Sequence, residues 1–155
     1  MRFTTWQHNP AIQAALRQIP ARIIWRVSLR VFTADPVHAG LHDVSETDDG
    51  RSYRDTCHVC YPYQLTHLPA VMRCPVMVLP RRDEILPETI LHEFGHLLHF
   101  TVDFWPYAQP VTEYAETNEF EAFGEAFVAW VYPAYLPWGG QVDERTRTLL
   151  DSLAV

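Results

Sequence analysis

Apolar residues that recur every three to four positions along the chain predict four helices. In the first, Ile12, Leu16 and Ile19 recur with helical spacing, and Pro20 ends the pattern. Two longer segments with helical spacing of their apolar residues follow in the second half of the chain. A fourth, amphipathic segment lies near the C-terminus. The predicted helices cover residues 11–19, 85–101, 112–130 and 143–153.

Three stretches with a different period predict strands. In residues 22–33, one face of the expected strand carries Trp25, Val27, Leu29 and Val31, which alternate with Ile24, Arg26, Ser28 and Arg30 as in a half-buried strand, and residues 56–63 are a second candidate. Residues 73–79 form a short apolar run that contains Pro75. Because proline cannot donate to a strand ladder, we expect this third strand at an edge of the sheet. The order of the predicted elements, one helix followed by a few strands and then several helices, indicates an α+β domain.

Size and charge narrow the classes of function. The 155 residues suit a single domain over positions 1–155, with an ordinary globular share of hydrophobic residues at 48%. The formal net charge is −7, and the 12 basic residues are scattered, which argues against a nucleic-acid partner. No apolar run approaches the roughly 18–20 residues of a membrane span. We therefore expect neither nucleic acid nor membrane as a partner.

The three cysteines are an odd number and cannot all pair within one chain, which favours a reducing compartment. The first ten residues also lack the apolar run of a signal peptide, so a cytoplasmic location is expected, with a mature exported form as the alternative. Cys57 and Cys60 form a CxxC pair, with Cys74 nearby. A structural zinc site needs more ligands than these, so ordinary thiols are favoured over a second zinc or a redox pair.

Residues 92–96 read HEFGH, an HExxH motif inside a predicted helix. His92 and His96 are four residues apart and share one helix face, so both can reach a single metal ion. Glu93 stands beside them, where a carboxylate can take a proton from a water whose pKa zinc lowers from 15.7 to about 7. Gly95 costs a helix about 1 kcal/mol relative to alanine, which indicates close approach of another element. The alternative is that the two histidines are surface residues paired by chance. The apolar residues on both sides of the motif argue against this alternative.

Two histidines are an incomplete site, because catalytic zinc usually has three protein ligands. The metzincin spacing is excluded, since His99 and Val102 stand where that class has its glycine and third histidine. His99 lies close to two turns after His92. It is expected either to touch the site or to be a partly buried polar residue.

The next helix offers carboxylates as the third ligand. Glu121 and Glu125 are four apart and share a face, whereas Glu119 points elsewhere. Two carboxylates four residues apart on a helix repel each other unless a cation lies opposite them. One of the two is therefore expected to bind the metal and the other to accept a hydrogen bond from a ligand histidine. Two solvated surface glutamates are the alternative. The stripe expected to face the core consists of Phe120, Phe123 and Phe127.

The motif at residues 92–96, Tyr114 and the segment TNEFEAFGEAF at residues 117–127 together resemble the catalytic domain of anthrax lethal factor and its relatives, including the Pro-Pro endopeptidases. These gluzincins are zinc endopeptidases whose third ligand is a glutamate on the helix after HExxH. The resemblance covers residues 92–130, and the connection from the second histidine is shorter here than in lethal factor. It implies one zinc held by His92, His96 and Glu121, with Glu93 as the catalytic base, Glu125 as the carboxylate behind a ligand histidine and Tyr114 as the group that stabilises the oxyanion.

The resemblance also implies a compact zincin-like domain: a small mixed sheet with an edge strand beside the HExxH helix, then the glutamate-bearing helix and a C-terminal helix. Residues 73–80 are the segment expected to pair with an extended substrate. The aromatic loop at residues 104–107 is expected either to wall the cleft or to fold on the core. The expected function is a zinc endopeptidase acting on peptides or proteins. The alternatives are a regulatory or toxin-like protease with one protein partner, and a latent or non-catalytic zinc-binding module.

Overall fold

Two thirteen-residue helices that pack against each other form the centre of the structure, with shorter helices and a small sheet around them. The computed structural model describes residues 10–27, 31–32, 56–60, 76–79, 85–102, 107–135 and 141–155. Its helices are α1 (Pro10–Leu16), α2 (Ala21–Arg26), α3 (Pro87–His99), α4 (Glu119–Val131) and α5 (Glu144–Ala154). Its strands are β1 (Val31–Phe32), β2 (His58–Cys60) and β3 (Val76–Val78), and 3₁₀ turns span Tyr114–Thr117 and Pro133–Tyr135.

At the coarse level the α+β prediction is confirmed, because helices dominate and a small sheet accompanies them. The predicted helices near residues 11–19, 85–101 and 143–153 are present as α1, α3 and α5. Asp143 caps α5 by accepting a hydrogen bond from the backbone N–H of Thr146 at 3.0 Å. Within the described residues, no helix has the length and apolar content that crossing a membrane requires.

The helix predicted over residues 112–130 is divided in two. Asn118 has an extended backbone, and its Oδ1 accepts from the backbone N–H groups of Phe120 at 2.9 Å and Glu121 at 3.0 Å. This N-cap starts α4 at Glu119 and leaves residues 114–117 as a separate 3₁₀ turn. Because of this break, the turn can place its side chains independently of the α4 axis.

The strand predicted over residues 22–33 is wrong for its first half, which is helix α2. Ile19, Ile23 and Val27 are all buried and recur every four residues, so they form a helical stripe on the core. Trp25, which the alternation placed on the same face as Val27, is instead 86% exposed. Among the described residues of this segment, Val31–Phe32 form a strand.

The described sheet has three strands in the order β1-β3-β2. β3 runs parallel to β1, with Val31 opposite Met77, and antiparallel to β2, with Val59 opposite Met77. The prediction that residues 73–79 form an edge strand is therefore wrong, since β3 is central and its three residues are all buried. Pro75, on which the edge prediction rested, lies outside the described residues.

α3 and α4 pack against each other through aromatic side chains. Phe94 of α3 stacks on Phe127 of α4, with ring centroids 5.7 Å apart. Phe123 and Phe127 are fully buried as predicted, whereas Phe120 is only half-buried and stacks on Phe100. All ten residues 90–99 of α3 are buried, so the HExxH motif lies inside the protein and its histidines are not surface residues.

Candidate metal centre

Three side chains from α3 and α4 converge on one point. His92 Nε2 lies 2.8 Å from Glu121 Oε2 and 3.0 Å from His96 Nε2, and His96 Nε2 lies 3.5 Å from the same glutamate oxygen. Within the described part of the chain, these three residues form the group of side chains that could hold a metal ion. The structure thus brings together the two predicted histidines and, of the candidate glutamates, Glu121.

Local backbone structure explains how each ligand is held. His92 and His96 are one turn apart on α3, and their rings meet edge to face with centroids 4.6 Å apart. Glu121 lies in the first turn of α4, where the Asn118 cap holds its backbone N–H. A carboxylate in this turn is also favoured by the positive end of the helix dipole. Glu119 is exposed and does not belong to this ligand group.

Two glycines let the helices approach closely enough for these contacts. A Cβ atom on Gly95 would lie 3.0 Å from Gly124 Cα and 3.1 Å from Phe127 Cβ. The expectation that Gly95 marks close approach of another element is therefore confirmed. A Cβ atom on Gly124 would lie 2.9 Å from His92 Cε1. The role of Gly124 was not predicted, although a second glycine inside a helix, between two candidate carboxylates, is a readable signal for it.

Glu125 lies behind His92 and is almost fully buried, at 3% exposed. Its Oε1 is 2.7 Å from His92 Nδ1, and its Oε2 accepts from Thr112 Oγ1 at 2.7 Å and from the Tyr135 hydroxyl at 3.2 Å. Burial raises the pKa of Glu125, but these hydrogen bonds outweigh burial and leave the pKa below its ordinary value. Glu125 is thus a carboxylate, and His92 Nδ1 must be the donor to it.

This hydrogen bond determines which nitrogen of His92 faces the cluster. With its proton on Nδ1, the imidazole turns the Nε2 lone pair towards Glu121 and His96. The electron pairs of His92 Nε2 and Glu121 Oε2 then face each other 2.8 Å apart, an arrangement that a proton or another cation stabilises. The pKa values agree: burial lowers that of His92, yet the bonds to Glu121 and Glu125 raise it to about 10. Burial raises the pKa of Glu121, but the two histidines hold it well below its ordinary range.

Glu93 is buried beside the cluster. Its Oε2 atom is inaccessible to solvent and has no hydrogen-bond partner among the described residues. Burial raises the pKa of Glu93, and the nearby His96 and His92 offset this only in part. A buried carboxylate oxygen left without a partner is costly, which points to a function for it rather than to a role in stability.

Tyr114 lies on the solvent side of the centre. It belongs to the 3₁₀ turn before α4, is 53% exposed, and its ring centroid is 5.8 Å from that of His92. The turn is linked to the centre by Thr112, whose hydroxyl contacts both Glu125 and the backbone N–H of Ala115. Neither Thr112 nor Tyr135 was predicted, because their partner Glu125 is 13 and 10 residues away and no local spacing links them to it.

The remaining candidates lie apart from the cluster. His99 is buried between the rings of Phe120 and Phe123, with centroids 5.2 and 5.0 Å away. Burial, together with nearby His96, lowers the pKa of His99 to about 4, so it is a neutral core residue and not a member of the ligand group. Cys57 is half-buried and also outside the group. The Cys60 side chain, Cys74 and residues 104–106 of the aromatic loop lie outside the described residues.

The chain was compared with protein-family models, with curated proteins and with solved structures, and none of the three comparisons found a match. The resemblance to gluzincins therefore stays a prediction. The geometry of the site is what a functional proposal has to rest on.

Proposed function

We propose that this protein is a zinc endopeptidase of the gluzincin type, with a zincin-like arrangement of its helices, acting on a peptide or protein substrate. The observation that carries the proposal is the convergence of His92 Nε2, His96 Nε2 and Glu121 Oε2 beside the buried carboxylate of Glu93, whose Oε2 has no hydrogen-bond partner among the described residues. Two histidines and one carboxylate are the donor set of several catalytic zinc sites.

The spacing of the donor atoms supports zinc. With bonds of about 2.0–2.1 Å, a tetrahedral zinc ion holds two ligand atoms about 3.3–3.4 Å apart. The three distances between the donor atoms run from 2.8 to 3.5 Å. Three protein ligands also leave a fourth position for water or substrate, whereas a structural zinc is held by four protein ligands.

Each residue then has a defined part in peptide hydrolysis. Zinc, when bound, lowers the pKa of water and polarises a carbonyl group. The Glu93 carboxylate, whose Oε2 has no hydrogen-bond partner among the described residues, accepts the proton of the attacking water and passes it to the leaving amine. The Tyr114 phenol, on the exposed side, donates a hydrogen bond to the oxyanion that develops on the substrate. Glu125 holds His92 in the orientation that directs Nε2 to the ligand cluster.

A two-part experiment tests the proposal. Zinc content is measured in protein purified without added metal or chelator, and we expect about one zinc ion per chain, bound by the ligand group found among the described residues. The zinc-loaded protein is then incubated with a peptide library, in parallel with Glu93→Gln. We expect cleavage by the wild type, and loss of cleavage with retained zinc in the variant.

The other outcomes distinguish the alternatives. Zinc binding without cleavage of any peptide favours the non-catalytic or latent module. Cleavage of one protein substrate and of no library peptide favours the regulatory or toxin-like protease. A Glu93→Gln variant that cleaves at the wild-type rate contradicts the assignment of the base. A Tyr114→Phe variant should keep its zinc and turn over more slowly, and an unchanged rate removes Tyr114 from the mechanism.

A further inference from the structure

The hydroxyl of Thr112 makes two hydrogen bonds that join separate parts of the centre. Its Oγ1 lies 2.7 Å from Glu125 Oε2 and 3.1 Å from the backbone N of Ala115. Glu125 is a carboxylate and can only accept, and a backbone N–H can only donate. The directions are therefore settled: Thr112 donates its one proton to Glu125 and accepts from Ala115.

Through the first bond Thr112 acts on His92. Glu125 uses Oε1 for His92 Nδ1 and Oε2 for Thr112, so donors on both oxygens fix the rotation of the carboxylate. The second donor to Oε2 is the Tyr135 hydroxyl, at the longer distance of 3.2 Å. Burial, together with the charge of Glu125, raises the pKa of Tyr135 to about 12, so its proton stays in place. Of the two donors, Thr112 makes the shorter bond and is expected to contribute more to the orientation.

Through the second bond Thr112 acts on the turn that carries Tyr114. Ala115 is the next residue along the chain and is buried, whereas Tyr114 is exposed towards the ligand cluster. The bond from the Ala115 N–H to Thr112 ties this turn to the same carboxylate that orients His92. A change at Thr112 therefore reaches the ligand and the exposed tyrosine through different atoms.

We propose that Thr112 is a positioning residue that aligns two functional parts at once: through Glu125 it orients His92 towards the metal, and through Ala115 it sets the position of Tyr114 relative to the substrate. The first role requires only that the cluster binds zinc. The second rests on the proposed peptidase function. The two roles are tested by different measurements.

Zinc affinity tests the role towards His92. The zinc dissociation constant is measured by chelator competition for the wild type, Thr112→Val, which has nearly the same shape without the hydroxyl, and Thr112→Ser, which keeps the hydroxyl. Carboxylates and their partners behind a zinc ligand typically change affinity by about 10–100-fold, so we expect about a tenfold loss for Thr112→Val and near-complete rescue by Thr112→Ser. An unchanged affinity in Thr112→Val overturns this role.

Two further variants make this measurement specific. Thr101→Val removes a hydroxyl that donates to Leu97 O at 2.7 Å, away from Glu125, and should leave zinc affinity unchanged. Tyr135→Phe removes the longer of the two bonds to Glu125 Oε2 and should weaken zinc binding by less than Thr112→Val. If Thr112→Val does not fold, Tyr135→Phe decides: a lower zinc affinity supports the role of the donors to Glu125, and an unchanged affinity contradicts it.

A double-mutant cycle tests the role towards Tyr114. The rate constant kcat is measured at saturating zinc for the wild type, Thr112→Val, Tyr114→Phe and the double variant. If Thr112 positions the phenol, Tyr114→Phe slows the Thr112→Val protein by a much smaller factor than it slows the wild type. Independent, multiplying factors overturn this role. Zinc affinity should be unchanged in Tyr114→Phe, which separates the two roles within one set of variants.

Failure of the proposed peptidase function gives a different result from failure of the proposed role of Thr112. A wild-type protein that binds zinc and cleaves no peptide contradicts the peptidase proposal and, with it, the role towards Tyr114. The zinc affinities of Thr112→Val and Thr112→Ser still decide the role towards His92. A wild-type protein that binds no zinc contradicts both proposals.

Discussion

Gly124 and His92 are in contact across the crossing of α4 and α3, where a Cβ atom on the glycine would lie 2.9 Å from Cε1 of the imidazole and 3.2 Å from both ring nitrogens. The His92 ring is thus held by backbone on one side and by the Glu125 carboxylate at Nδ1. Little room remains for the ring to move, so a change at Gly124 should affect metal binding directly.

We expect Gly124→Ala to weaken zinc binding by about tenfold or more, because the new methyl group must displace the ligand ring. The variant should also lose about 1–3 kcal/mol of unfolding free energy through overpacking, although alanine favours a helix over glycine. The matched control is Gly95→Ala, whose methyl group would contact Gly124 and Phe127 and not the His92 ring. Equal zinc affinities for the two variants would contradict the direct contact as the cause.

Glu121→Ala should abolish stoichiometric zinc binding, because the variant removes one of three ligand atoms. Glu119→Ala is the matched control: it removes an exposed carboxylate two residues away on the same helix, outside the ligand group. Metal content after dialysis against chelator-free buffer is the measurement. Full stoichiometry in Glu121→Ala would remove this residue from the site, and Glu125 would become the remaining candidate.

Glu93→Gln should raise the stability of the metal-free protein. The wild-type carboxylate is buried with one oxygen lacking a hydrogen-bond partner among the described residues, and an unsatisfied buried polar group costs about 1–3 kcal/mol. A neutral amide of the same shape lowers the cost of removing the group from water. Urea unfolding of metal-free wild type and variant gives the difference. A variant that is less stable would indicate that the Glu93 charge has a stabilising partner.

The cap of α5 gives a prediction for acid stability. Asp143 Oδ2 accepts from Gln109 N and Thr146 Oγ1, and its Oδ1 accepts from Thr146 N. Burial raises the pKa of Asp143, but these bonds outweigh it and lower the pKa below 3.8. A lowered folded-state pKa means that the stabilisation is complete above the unfolded pKa and is lost as pH falls through the folded one.

Asp143→Ala should therefore cost about 0.5–2 kcal/mol of unfolding free energy at pH 7, the usual range for loss of an N-cap. The difference from wild type should shrink as pH falls below about 4. Asp143→Asn is the control, because its amide oxygen can still accept from Thr146 N and it should lose less at pH 7. Urea unfolding at several pH values measures the three proteins. A difference that stays constant down to the lowest pH would contradict the charge dependence.

The sequence alone predicts which residues of one helix lie together, because a helix brings residues four apart onto one face. For that reason the sequence predicted that His92 and His96 act together and that Glu121 and Glu125 share a face. The Gly95 prediction had a similar basis, since a helix-interior glycine has a local cost that needs a reason. The same rule applies to Ile19, Ile23 and Val27, whose four-residue spacing indicates α2, but the short alternation around Trp25 led to the wrong prediction of a strand.

Tertiary structure determined which residues each of these helix faces contacts. Helix spacing alone left open which glutamate is the ligand, and only the resemblance pointed to Glu121. The crossing of α4 and α3 places Glu121 at the Nε2 of His92 and Glu125 at the Nδ1. The contacts of Thr112 and Tyr135 with Glu125, and the central place of β3 in the sheet, likewise join segments that no helix or strand period connects. Local geometry therefore specifies which residues act as a unit, and packing between segments determines their partners.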